Sequence, residues 1–317
     1  MILDKTVAWQ FALTLFFLLQ PSLSQGDSGY LLVKQHLHEA RTKTDFVFPS
    51  KKELQTVQHL FYRMLKKEPH KALIEEWKQL NFSMTNIECK GTEYTLLSED
   101  EQNRTGRGFY IFPTTPKTNR VLMIPHGLHD FHTDDIGIQL SLEGHFAAAA
   151  FNTVHRYGNK RKNSLPQKNN LQQKNRPKND EAHDLAKLSD TFFTAFTAAF
   201  ARAYSDGSLL QVHGFSKSRR KTLEGRNSNL VVSSGTRQAS RLANKFADCL
   251  KKQFTGNVSL YPRDVRELGG TRNISGILLR SAGHNGFIHI ELDLATRQQI
   301  KDVPEIKQWF LNCIEML

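Results

Sequence analysis

The chain has 317 residues and a mass of 36.3 kDa, room for one large domain or a medium one with an appendage, and far more than a stapled mini-scaffold. Its 39% hydrophobic, 10% aromatic and 23% charged residues are those of a globular protein, which excludes wholesale disorder. The formal net charge is +12, and residues 158–180 carry seven Lys and Arg against Asp180 alone, so half of the excess sits in one short segment.

Residues 1–24 read as a secretory signal peptide: Lys5 precedes an apolar run from Val7 to Leu19, and Pro21 leads into the small residues Ser22 and Ser24. A membrane anchor needs about 20 uninterrupted apolar residues, and this run is shorter and contains Gln10. No later stretch reads as a membrane span, since Phe192 to Ala203 is short and broken by Thr and Arg. The mature protein is therefore expected to be secreted or luminal in the secretory pathway. Cys89, Cys249 and Cys313 are too few for a disulfide scaffold and too far apart for a zinc finger; in an oxidising compartment they allow one bridge and leave one thiol. Asn-X-Ser/Thr patterns at Asn81, Asn103, Asn257 and Asn273 fit a glycoprotein.

Residues 25–115 form an N-terminal extension that reads as helix followed by hairpin. The segment up to residue 90 reads as helical: Ser50 and Glu53 make a capping box, and Leu54, Val57, Leu60, Phe61, Met64 and Leu65 recur at helical spacing. A second helix is predicted over Ala72 to Leu80. Two β-branched and aromatic runs, Glu93–Leu97 and Gly108–Phe112, then predict a hairpin or sheet edge. From residue 116 to 317 apolar strands alternate with helical stretches, through 121–125, 136–152, 185–204 and 209–213, which predicts an α/β fold with a sheet flanked by helices. The run 158–174 is a polar insertion with almost nothing to bury. The basic segment around it, 158–180, lacks the aromatic residues of a nucleic-acid surface; it is a solvated loop or a contact for polyanions.

Chemistry-bearing residues concentrate directly after the apolar run Val121–Ile124. His126, His129 and His132 with Asp130, Asp134 and Asp135 fall within ten residues, at the end of a strand where α/β sheets hold their ligands. A second strand, Leu209–Val212, also runs into a His-Gly pair at His213. A third, Phe287–Leu294, alternates so that Ile288, Ile290, Leu292 and Leu294 take one face and His289, Glu291 and Asp293 the other. Taken alone this is a strand with a solvated polar face; opposite two strand-terminal histidines it becomes an active-site wall. A zinc site of His and carboxylate ligands with an unligated Glu as proton shuttle can be drawn from His126, one Asp of 130–135, His213 and Glu291.

The order of these motifs, Pro125-His126-Gly127, then Asp130-Phe131-His132-Thr133-Asp134, Asn175-Arg176-Pro177, Leu209-Leu210-Gln211-Val212-His213-Gly214, Gly269-Gly270-Thr271-Arg272 and Ile290-Glu291-Leu292-Asp293, resembles the N-formylglutamate amidohydrolase family over about residues 118–300. The resemblance implies a zinc-dependent amide hydrolase with a mixed sheet flanked by helices, related in fold to zinc carboxypeptidases. It further implies His126 and His213 as metal ligands, Asp130 as the third with His129 and Asp134 as alternatives, and Glu291 as general base. Arg176 and Arg272 are implied as contacts for a substrate carboxylate, with Arg156 competing for the place of Arg176. The expected function is hydrolysis of an amide bond close to a carboxylate, in an N-acyl amino acid, a γ-glutamyl compound or a peptide. The rival reading is a non-catalytic secreted protein that binds polyanions through its basic loop.

Overall fold

Nine strands and ten helices alternate along the described residues, 25–42, 46–157 and 184–317 of a computed structural model. The expected signal peptide at 1–24, the polar insertion at 158–174 and Arg176 lie outside them. Helices α1 (Gln25–Ala40), α2 (Lys51–Leu65) and α3 (Ile74–Lys78) precede the antiparallel strands β1 (Phe82–Cys89), β2 (Thr92–Glu99) and β3 (Phe109–Pro113). There follow β4 (Arg120–Ile124), α4 (Thr133–Glu143), β5 (Ala148–Phe151), α5 (Phe192–Ala203) and β6 (Ser208–Gly214). The chain closes with α6 (Leu223–Asn227), β7 (Leu230–Ser233), α7 (Arg241–Gln253), β8 (Val258–Leu260), α8 (Ile274–Ser281), β9 (Phe287–Leu292), α9 (Leu294–Asp302) and α10 (Pro304–Ile314).

Several boundaries follow from local chemistry. The Ser50 hydroxyl accepts from Glu53 N at 3.2 Å while the Glu53 carboxylate accepts from Ser50 N at 2.7 Å, the reciprocal cap expected of α2. Residues 82–89, expected helical, form a strand instead. Lys90 and Gly91 both take positive φ (50° and 73°), the two-residue turn whose twist matches an antiparallel pair, and they bring Cys89 opposite Thr92. The stretch 136–152 divides into α4 and β5, and the helix within 185–204 begins at Phe192. Ala148–Phe151 is strand despite its alanines because it is hydrogen-bonded on both sides, to β3 and to β4.

All nine strands belong to one mixed sheet in the order β1-β2-β3-β5-β4-β6-β9-β7-β8. Residues 25–115 thus share a sheet with 116–317. The parallel centre, β5-β4-β6-β9, is covered on both faces, which is why its strands are near-continuous apolar runs. One core layer joins the sheet to α1, α4, α7, α9 and α10; the other joins it to α2, α3, α5 and α8. The second layer is aromatic: Phe61 lies against Tyr110, Trp77 and Phe196 at ring distances of 4.7, 5.2 and 5.3 Å. Cys249 of α7 and Cys313 of α10 form a disulfide, and Cys89 is a buried free thiol.

From β4 the chain crosses to β5 on one side and later returns to β6 on the other side of β4. Such a reversal opens a crevice at the carboxyl ends of the strands.

Candidate metal centre and active site

His126 follows β4 by two residues, His213 is the penultimate residue of β6, and Glu291 stands directly opposite His213 on β9, with His289 opposite Gln211. Along β6 and β9 the odd-numbered residues face the aromatic core layer: Leu209 and Phe287 belong to it, while Leu210, Val212, Ile288, Ile290 and Leu292 belong to the other. Toward the carboxyl ends that face changes from apolar to polar, with Gln211, His213, His289 and Glu291. Of these, His213, His289 and Glu291 floor a cavity of about 330 Å³ that is also lined by Asp130, Asp184 and the 266–273 loop.

Hydrogen bonds fix both histidine rings. His126 donates Nε2–H to Asp184 at 2.7 Å, and His213 donates Nε2–H to the Gln211 side-chain oxygen at 3.0 Å. The same oxygen accepts from the Asn273 amide, and the Gln211 amide nitrogen donates to Ser275 at 3.2 Å, so the orientation of Gln211 is itself held. Each ring therefore turns Nδ1 inward, and the two Nδ1 atoms are 3.1 Å apart. Asp130 Oδ2 lies 3.6 Å from His126 Nδ1 and accepts from Gly214 N at 2.8 Å. Two ring nitrogens and a carboxylate converging in this way require a cation between them, a shared proton in the bare protein or a metal ion.

The electrostatics agree. Burial disfavours charge on His126, but hydrogen bonds and charge from Asp130 and Asp184 outweigh it and raise its pKa. His213 is held well below the usual histidine range by burial and by the neighbouring His289 and His126, so it is neutral and ready to ligate. Burial likewise depresses His289 to about 3. Glu291 is pushed well above the usual carboxylate range by burial and by the charge of Asp130. Asp184 is held below that range despite its burial, by His126, Arg156 and Lys187.

His126, Asp130 and His213 offer ligand atoms within 4.8 Å of one another, and His213, His289 and Glu291 form a second such group. The first is a two-histidine, one-carboxylate set, with Asp184 and Gln211 orienting the rings from behind. This donor set fits zinc. Of the alternative third ligands, His129 packs edge-on against Tyr157 and His155, at ring distances of 5.0 and 5.6 Å. Asp134 is drawn away to Arg41 at 2.5 Å and lies so close beneath Gly127 that a Cβ there would overlap its carboxylate. Neither joins the cluster.

Arg156 lines the cavity and donates to Asp184 at 2.8 Å. Arg272 lies on the exposed rim beside Arg266, which the sequence reading did not single out; neither has an ion partner among the described residues. Asp293, expected on the polar face of the strand, lies past its end, where it caps α9 through Thr296 N at 2.8 Å and pairs with Lys217 at 3.0 Å. Leu294, expected on the apolar face, is half exposed in that helix. Asn273 is not free to carry a glycan, because its buried side chain caps α8 and holds Gln211.

Asp184 and Gln211 were not legible in advance. Asp184 is a lone acid behind the polar run, and Gln211 sits within an apolar strand, where only the placement of a polar side chain two residues before His213 gave a signal.

No protein-family model matches the chain, and neither does any curated protein sequence. Among solved structures, N-formylglutamate amidohydrolase from Ralstonia eutropha JMP134 is similar at 12% identity and a TM-score of 0.44, over 67% of this chain and 98% of that one. A bacteriophage poly-gamma-glutamate hydrolase is similar at 14% identity and a TM-score of 0.35, over 72% and 89%. A Zn-dependent exopeptidase from Parabacteroides distasonis ATCC 8503 has 9% identity and a TM-score of 0.27, over 83% and 97%. Likenesses of this size carry no chemistry, which rests on the side chains.

Proposed function

We propose that this protein is a secreted zinc-dependent hydrolase that cleaves an amide bond close to a carboxylate. The observation that carries the reading is the pair of Nδ1 atoms of His126 and His213, 3.1 Å apart, with both Nε2 atoms committed to other partners and Asp130 beside them. A zinc ion held there supplies a Lewis acid and a water whose pKa falls to about 7.

The chain's own residues do the rest. Glu291 accepts a proton from the attacking water and delivers it to the departing amine. Burial and the charge of Asp130 hold it protonated in the bare protein, and neutralising Asp130 with a bound cation removes one of those causes. Arg266 and Arg272 on the rim bind the substrate carboxylate, and Arg156, 3.5 Å from His126, adds positive charge where the oxyanion develops. Gly270, at φ +56°, lets the 266–273 loop lie against the His289 ring, where a Cβ would come within 2.7 Å of it.

Secretion is supported by the leader-like residues 1–24 and by the Cys249–Cys313 bridge, a bond that persists in oxidising compartments. We also propose the basic segment 158–180 as a polyanion contact; its retention on heparin should fall steeply with salt and be lost when the segment is deleted.

The test is metal analysis of the secreted, purified protein, together with hydrolysis of N-acyl amino acids and γ-glutamyl compounds before and after chelation. About one zinc per chain and chelator-sensitive turnover are expected. A protein that takes up no zinc ends the proposal.

A further inference from the structure

Beside the catalytic pocket lies a larger cavity of about 1020 Å³, and both are bounded by Asp130, Arg156, Gly214, Leu268 and Glu291, so the two form one trough through the reacting centre. The first arm carries Arg266 and Arg272, neither of which has an ion partner among the described residues. The second is different in kind. Its apolar lining comes from Phe131, Phe215, Leu268, Leu294 and Ala295. Phe131 is 68% exposed, the most exposed large hydrophobic side chain among the described residues, and Leu294 is 50% exposed.

This exposure is built in. Arg297 donates to the Phe131 carbonyl at 2.5 Å, and the Phe131 ring lies 4.1 Å from that of His132. Leu294 opens a helix capped by Asp293. Most cations along the second arm are already engaged: Lys217 with Asp293 at 3.0 Å, Arg220 with Glu267 at 3.6 Å, Arg156 with Asp184 at 2.8 Å. Arg297 is turned to the Asp293 and Phe131 carbonyls, and Arg219 stands exposed at the rim. A mixed groove continuous with the catalytic pocket, whose charged lining is interrupted by an apolar stretch with Phe131 and Leu294 held open to water, is suited to the apolar part of a substrate.

Resting on the reading of the site as an amide hydrolase, we infer that the substrate is an N-acyl amino acid whose aliphatic acyl chain is long enough to enter the second arm. Its carboxylate meets Arg266 and Arg272, and its chain lies in the second arm along Phe131 and Leu294. In hydrolysis the acyl carbon gains the oxygen of water, the C–N bond breaks, and the nitrogen takes the proton carried by Glu291. A fatty acid and a free amino acid leave. A formyl or acetyl group would leave the arm bare, forgoing the burial that each added methylene supplies.

Two measurements test this on the full-length zinc protein. In one, kcat/KM is followed across N-acetyl-, N-butanoyl-, N-hexanoyl- and N-octanoyl-glycine and the matching glutamate series. It is expected to rise at least about ten-fold from acetyl to octanoyl in the better series, and Phe131→Ser with Leu294→Ser should cut the octanoyl-to-acetyl ratio several-fold. In the other, calorimetry on Glu291→Gln compares binding of the same ligands without turnover. Turnover with no dependence on chain length overturns this inference and leaves the hydrolase reading standing. A binding gradient without turnover in the unsubstituted protein supports the groove and counts against catalysis. No binding and no turnover at any length overturn both.

Discussion

The two ends of the parallel strands face opposite demands. Toward the amino ends, one face of the sheet packs into the aromatic layer of Phe61, Tyr110, Phe192, Phe196 and Phe200, which are buried with rings at 5–6 Å. Toward the carboxyl ends, the same face carries the buried Gln211, His213 and His289 and the largely buried Glu291, and burial disfavours charge on both histidines and on the carboxyl alike. His289 Nδ1 has no hydrogen-bond partner among the described residues. Buried polar groups destabilise unless they are paired, so the aromatic end has to offset the cost of the polar end. The comparison teaches that the fold concentrates its stability and its reactivity on one face, a few residues apart along the same strands.

If that division is real, substitutions at the two ends should fail in different ways. The largest effect is expected from His213→Ala or His126→Ala: zinc content measured by atomic absorption should fall to background and amide hydrolysis with it, while circular dichroism stays that of the folded protein. Full metal retention in both variants would mean that the cluster is not the zinc site. Next comes Glu291→Gln, which keeps the shape and removes the proposed base. Turnover should drop by a factor on the order of 10² to 10⁴ with zinc retained; loss of zinc would make Glu291 a ligand instead, and unchanged turnover would return it to a merely polar wall.

At the other end, Phe61→Ala should lower the unfolding free energy by about 3–5 kcal/mol, read by urea denaturation, with little change in metal content at low temperature. A comparable loss of zinc affinity would dissolve the proposed separation. The smallest expected effect is that of Asp184→Asn, which keeps a hydrogen-bond partner for His126 but removes its charge. Zinc affinity should weaken about 10- to 100-fold, the usual cost of altering a group that orients a metal-binding histidine. Competition with a chromophoric chelator measures this, and an unaltered affinity would assign Asp184 to its ion pairs with Arg156 and Lys187 alone.

Much of this site could be read from the chain because its residues lie at strand ends. His126 and His213 each follow an apolar run, and the period-two alternation of 287–292 put His289 and Glu291 on one face, as observed. The alternation was carried two residues too far: at Asp293 the backbone turns into α9, and Asp293 and Leu294 answer to helix capping instead. The 82–89 segment was misread because an edge strand with one exposed polar face has too weak an apolar period to declare itself, and the Lys90-Gly91 turn decides its direction.

By itself, then, the sequence determined the alternation of elements, the capped helix at residue 51 and the ends of the strands where chemistry could collect, since these follow from periodicity and local hydrogen bonding. Only the tertiary structure brings Asp130, and not His129 or Asp134, beside His126 and His213, because Arg41 draws Asp134 away and Tyr157 and His155 pack against His129. It also brought Asp184 to His126 across 58 positions of the chain. Contacts across such separations arise from the way the strands and loops converge, and no local pattern in the chain encodes them.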